Sequence, residues 1–289
     1  MLMNKLLFAI IFVFLLFSGC TNTTESYDNS GLEEAEKNKA LISVKEIFET
    51  FPSPVETAKS ISEANVKFNQ NILNPVNNVP YYESSKSLVL NLGVYCADLS
   101  YASFYEQNQL VSSYLTAIKA IAGNLGIMQI MDERDILKIE DNILNQDSLR
   151  VLIEEVFLSS GKYLNEDNRP EMAILVQVGA WIEGMYIAMQ LATQSVEINK
   201  ELVERIAEQR ASLNLIVNAL ANYADYAVVN DVYKDMLKLQ KIYKKTTVTN
   251  KTIALNEQSE NNNDKVFISP EIFIDLFQEI NKIRNSYTQ

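Results

Sequence analysis

Apolar residues three or four positions apart, sustained over a long stretch, constrain this chain more than any other feature. Between Tyr82 and Gly126 they fall at Leu88, Leu92, Tyr95, Leu99, Ala102, Leu110, Tyr114, Leu115, Ile118 and Ile121. A helix turns once in about 3.6 residues, so this spacing lays one apolar stripe along a helical surface, whereas a strand would alternate. We read the segment as amphipathic helices, broken near Glu106 to Asn108 into an antiparallel pair and ended by Gly123 and Gly126. The whole chain holds only 8 glycines and 6 prolines, too few for the many turns of a sandwich or barrel. The expected fold class is all-α, an antiparallel multi-helix bundle or an array of helical hairpins.

The pattern extends in both directions. Ser53-Pro54 pairs a capping serine with proline at the first helical position, and Val55, Ala58, Ile61, Ser62, Val66 and Phe68 follow. That helix should stop before Asn74-Pro75, leaving a loop over 74–80. Further helices are expected over Asp132 to Leu144 and Asp147 to Leu164, with each aspartate as N-cap, and from Pro170 to about Thr193. Two more should cover Ile198 to Ala224 and Val228 to Tyr243, joined near Tyr223 to Tyr226. Thr246 to Leu255 favours extended backbone, and a two-stranded hairpin could flank the Asn-rich loop that follows. Ser269-Pro270 caps a last helix whose stripe is Ile272, Leu276, Phe277, Ile280 and Ile283. A short helix is marginal alone in water, so this one should dock on the rest. Residues 53–245 thus read as the helical domain, 246–268 as an extended or disordered loop, and 269–289 as a docking helix.

Two of the helices share a local pattern. Asn91 to Asp98 aligns with Gln177 to Gly184, matching Gly93 to Gly179, Tyr95 to Trp181 and, further on, Ala102 to Ala188, all at a shift of 86 residues. The same shift brings the Pro54 helix near the one starting at about Asp141. A duplicated set of helical hairpins, each covering the other's apolar face, would produce this match, as would any two similar helices. A glycine inside a helix costs roughly 1 kcal/mol relative to alanine. Close approach of two helices at Gly93 and Gly179 is the natural reason to keep them, with Tyr95 and Trp181 flanking the crossing.

Chemistry is sparse. The chain has no histidine, which removes the commonest general base, the Ser-His and Cys-His pairs, and most zinc sites. No Gly-rich phosphate loop, Gly-x-Ser-x-Gly elbow or Cys-x-x-Cys is present. We therefore expect no enzyme, no catalytic or metal-ligating residues and no cofactor. Asp98 and Glu183 stand out because they lie inside apolar helical stretches, near Tyr95, Tyr101, Trp181 and Tyr186. A carboxylate taken out of water needs a partner or a raised pKa. Two readings follow. Either these six residues wall a pocket for a cation or small polar ligand, or each acid accepts hydrogen bonds from tyrosine or backbone and fixes helix register. Cys96 reads as a small buried apolar residue.

The N-terminus carries an address. Lys5 precedes an apolar run from Leu6 to Phe17, then Leu16-Phe17-Ser18-Gly19-Cys20. A dozen or so apolar residues are too few to cross a bilayer, which takes roughly 20. The pattern resembles the lipobox of bacterial lipoproteins, in which the cysteine is acylated and becomes the first residue after cleavage. That resemblance implies a signal peptide over 1–19 and, over 20–52, a lipidated Cys20 followed by a flexible acidic tether. Several acyl chains on one residue anchor stably, since each buried methylene contributes about 0.8 kcal/mol. The formal charge is −12; removing 1–19 takes one lysine and no acid, leaving −13. Such a chain repels phosphate backbones, so nucleic acid is not an expected partner and membrane lipid is met through acylated Cys20 alone.

The helix Asn91-Leu-Gly-Val-Tyr-Cys-Ala-Asp-Leu-Ser-Tyr-Ala-Ser103 resembles an uncharacterised Bacteroidetes-type family of predicted lipoproteins with a Gly-Val-Tyr-x-Ala-Asp-Leu-x-Tyr-Ala core. Gly179-Ala-Trp-Ile-Glu-Gly-Met-Tyr186 gives looser support, and Cys96 stands where that family would have a small residue such as glycine. The resemblance implies an anchored location and a helical fold, and brings no activity with it. The expected function is a lipid-anchored cell-envelope protein with a helical binding or scaffolding domain; the alternative is a small-ligand or cation receptor at Asp98 and Glu183.

Overall fold

Two long helices, Ser85–Phe104 (α2) and Pro170–Ala192 (α5), form the centre of the molecule in the computed structural model, which describes residues 44, 47–128, 137–138, 141–249 and 265–289. The expected signal peptide, Cys20, the expected tether as far as residue 43, the start of the expected Asp132 helix and residues 250–264 lie outside the described residues. Around the central pair stand α1 (Pro54–Glu63), α3 (Asn108–Asn124), α4 (Gln146–Glu166), α6 (Lys200–Glu208), α7 (Arg210–Ala221), α8 (Asn230–Tyr243) and α9 (Pro270–Thr288). The fold is an all-α helical bundle. One short antiparallel hairpin, β1 (Thr247–Thr249) with β2 (Lys265–Phe267), pairs Val248 with Val266 and leads into α9.

The central helices are not amphipathic. Every residue from Leu88 to Ser103 is buried, and α5 is buried almost from end to end. The three-and-four spacing marks real core positions, but neighbouring helices cover the remaining faces too, as expected of a helix that is apolar all round. By length and hydropathy α5 could cross a membrane, yet 89% of its apolar window is inside the fold; it is the core helix.

The α2–α5 contact is reciprocal. A Cβ on Gly93 would lie 2.0 Å from the Val176 carbonyl oxygen, and one on Gly179 would lie 2.0 Å from the Leu90 carbonyl oxygen. Leu90 and Val176 are separated by the same 86 residues as the two glycines, so each helix touches the other at equivalent places. The flanking helices follow suit: α1 packs on α2 and reaches α5, while α4 packs on α5 and reaches α2. The shifted Pro54 helix corresponds only loosely, since α4 begins at Gln146 rather than near Asp141.

Other boundaries differ for local reasons. The first helix ends at Glu63, ten residues early, because Asn65 takes a left-handed conformation (φ 53°) that stops helical propagation. Ser53 caps it in a full capping box with Glu56. The stretch to Pro80 is not plain loop; it contains 3₁₀ turns at Gln70–Ile72 and Val76–Tyr81. Asn145, not Asp147, caps α4, and Asp147 sits in its first turn. The helix expected over 198–224 is two, α6 and α7, divided at Gln209. In α9 the buried stripe runs Phe273, Leu276, Ile280, Ile283, Arg284 and Tyr287.

Candidate functional site

Three helices bring charge into the dry centre. Asp98 comes from α2, Glu183 from α5 and Arg284 from α9; both acids are 0% exposed and the arginine 8%. Arg284 donates from Nε to Glu183 Oε2 and from Nη2 to Oε1, both at 2.9 Å. This planar fork matches a carboxylate better than a lysine could. Its guanidinium carbon also lies 4.5 Å from the ring centre of Tyr186, one turn beyond Glu183 on α5. Burial opposes the arginine's charge, but the Glu183 carboxylate outweighs it and holds the pKa above the ordinary value.

Asp98 is the second acid in this pocket of charge, and its carboxyl is a hydrogen-bonding neighbour of Glu183. Its Oδ2 accepts the Asn74 backbone N–H at 3.1 Å, while no donor reaches Oδ1. Burial pushes the Asp98 carboxyl well above the usual carboxylate range, and the Glu183 charge pushes the same way. Two carboxylates cannot share one arginine in a dry interior without cost. A proton on Asp98 removes the repulsion between the two acids, the form that burial favours.

Asn74, read from the sequence only as a helix breaker before Pro75, is the hub beside the acids. It is wholly buried and makes five hydrogen bonds. Its side-chain amide donates to Tyr82 Oη (3.0 Å) and Asn91 Oδ1 (3.3 Å), its Oδ1 accepts from Asn78, and its backbone carbonyl accepts from Tyr114 Oη. Asn91 in turn donates to the Tyr287 carbonyl (2.7 Å), and Asn78 and Tyr82 donate to the Thr288 carbonyl. Those carbonyls belong to the end of α9, where a helix has no internal donors left. The network therefore caps α9 from inside the protein.

Of the six residues singled out in the sequence, Asp98, Glu183 and Tyr186 share this site. Tyr95 borders it: its hydroxyl donates to the Pro75 carbonyl at 2.9 Å and its ring packs 5.8 Å from that of Tyr114. Tyr101 is elsewhere, accepting the Asn69 N–H and stacking on Phe68. Trp181 faces a separate pocket of about 120 Å³ between α1, α5 and α6, where its indole donates to Gln209. Of the tyrosine or backbone donors expected for the acids, Asp98 has a backbone one, the Asn74 N–H, while Glu183 is bonded by Arg284 instead. Arg284 and Asn74 were missed, although an arginine within the apolar stripe Ile280, Ile283, Tyr287 was a readable sign.

Neither acid lines the Trp181 pocket, the small void beside Cys96, or a groove of about 540 Å³ between α6 and α9. Cys96 is buried, and burial pushes its thiol up to about 12, so it carries no thiolate. Among the described residues no three His, Cys, Asp or Glu side chains gather as a metal would require. No family model, curated protein or solved structure matches the chain.

Proposed function

We propose that this chain is a lipid-anchored cell-envelope protein whose helical domain binds or scaffolds another envelope component without catalysing a reaction. The observation that carries the reading is the lipobox-like Leu16 to Cys20 after a short apolar run. Two features support it. The membrane-length helix α5 is occupied by the core, which leaves the N-terminus to hold the membrane. Arg284 and Glu183 neutralise one another at the centre of the helical domain, a use of charge that ties helices together. The family resemblance at Asn91 to Ser103 points the same way. A cation receptor at Asp98 and Glu183 is the weaker reading, because its ligand would have to displace Arg284, the cation already seated there.

The test is labelling with palmitate and membrane fractionation of the full chain and of Cys20→Ala. Label and membrane retention should both be lost in the variant. Retention of either by Cys20→Ala overturns the anchor.

A further inference from the structure

The pocket beside Trp181 is not required by the fold. Because α2 and α5 meet reciprocally, the counterpart of the α1–α5–α6 junction is the junction of α4, α2 and α3. There Leu92, Ile118, Ala122 and Val156 close on a void of about 10 Å³. The Trp181 side keeps about 120 Å³ and lines it with different chemistry. Ile61, Met185 and Leu202 supply apolar wall and Trp181 an aromatic one, while Glu56, Arg205 and Glu208 bring charge.

Those charges select the occupant. Arg205 is the one cation among the lining residues, and it is already engaged: its Nη2 lies 2.8 Å from Glu201 and 3.6 Å from Glu63. An incoming anion would compete with both acids. Glu208 is exposed, and among the described residues no cation pairs with it. It is the last residue of α6, where the helix dipole favours positive charge and opposes an acid. Glu56 holds the Ser53 N–H through Oε2 and adds a second negative charge to the wall. The Trp181 indole N–H is committed to Gln209, and its ring is of the kind that best attracts a cation. A cavity of about 150 Å³ takes one benzene, so this one takes about five heavy atoms.

We propose that the α1–α5–α6 pocket binds a small aliphatic ammonium ion, its charge against Glu208 and Trp181 and its alkyl body against Ile61, Met185 and Leu202. An unpaired acid at the C-terminal end of a helix is unfavourable, and a bound cation relieves it. The site is separate from the buried acids, where Arg284 already occupies the cation's place. The inference goes beyond the binding or scaffolding reading and does not depend on the anchor at Cys20.

Trp181 is the only tryptophan of the chain, so tryptophan fluorescence reports on this pocket alone. The test titrates n-butylammonium chloride into the full chain in an uncharged detergent at constant ionic strength. n-Butanol and butyrate serve as probes of similar size without the positive charge. Butylammonium should give a saturable change in Trp181 emission, and the other two none over the same range. Glu208→Gln should weaken binding several-fold, the size of a part-exposed ion pair. Ala188→Leu puts a larger side chain on the pocket wall and should abolish the response. A response that never saturates, an equal response to butanol or butyrate, or an unchanged midpoint in Glu208→Gln would overturn the proposal. So would saturation of a folded Ala188→Leu chain at the parent midpoint. If Ala188→Leu fails to fold, Glu208→Gln decides, since it alters only an exposed side chain at a helix end. The readout is independent of membrane attachment, so a failed pocket is distinguishable from a failed anchor, which the Cys20→Ala fractionation reads.

Discussion

Gly93 and Gly179 each occupy the point where the backbone of the other's helix passes: the space for a Cβ at either is filled by a carbonyl oxygen 2.0 Å away. Neither neighbour is a flexible side-chain end, so nothing can swing aside. Gly93→Ala or Gly179→Ala must push α2 and α5 apart along their most buried length. We expect a loss of about 3 kcal/mol or more for either, read as a shift in urea midpoint. Gly123 serves as control. Its nearest neighbour would be a Met128 side chain at 3.8 Å, so Gly123→Ala should gain about 0.5–1 kcal/mol from helix propensity alone.

Breaking the Arg284–Glu183 fork leaves a buried charge without its partner. Glu183→Gln and Arg284→Met should each cost about 3–5 kcal/mol in equilibrium unfolding. The pair should be strongly non-additive, with Glu183→Gln/Arg284→Met less damaging than the sum of the two, since the double variant strands neither charge. Additive losses would mean the two groups do not act on each other.

Asp98→Asn should behave differently from Glu183→Gln. An asparagine can still accept the Asn74 N–H and is neutral, as a protonated Asp98 is. The folded-state pKa of Asp98 is raised, so its proton stabilises fully below the ordinary carboxylate pKa, and that contribution is lost as pH climbs towards the raised value. Relative to Asp98→Asn, the parent chain should therefore lose stability from about pH 4 upward, by up to about 1.4 kcal/mol per pH unit. Urea midpoints of both chains between acid and mildly alkaline pH measure the slope. Parallel curves would show that Asp98 is ionised in the fold.

Cys96 should resist alkylation. Its thiol is buried and pushed up to about 12, so the reactive thiolate is scarce and unreachable. Iodoacetamide should label it slowly in the native protein and rapidly in urea, with mass spectrometry on the peptide spanning Cys96 as readout.

Much of this was legible beforehand because helical spacing reports burial directly. The stripe through Leu88, Leu92, Tyr95 and Leu99 and the two mid-helix glycines pointed to α2 and its crossing with α5. The acids were conspicuous for the same reason, as charges inside apolar runs. What failed was rotation about the helix. Trp181 and Glu183 are two positions apart, about 200° around the axis, so they face opposite ways; Tyr186, three beyond Glu183, shares its face. Grouping aromatics by nearness in sequence therefore mixed two sites. Helix ends were misplaced where the signal was conformational, as at Asn65, or where the chain turns at Gln209 without glycine or proline. Asn74 was illegible because its role depends on partners as remote as Asn91, Tyr114 and the end of α9.

The Arg284–Glu183 pair also bears on how this molecule comes to be assembled. The two residues are 101 positions apart, so during synthesis the acid in the central helix emerges long before its cation. Until α9 arrives, closing α2 onto α5 would trap an unmatched negative charge in a dry crevice. Completion of the core at Glu183 thus depends on the last helix of the chain.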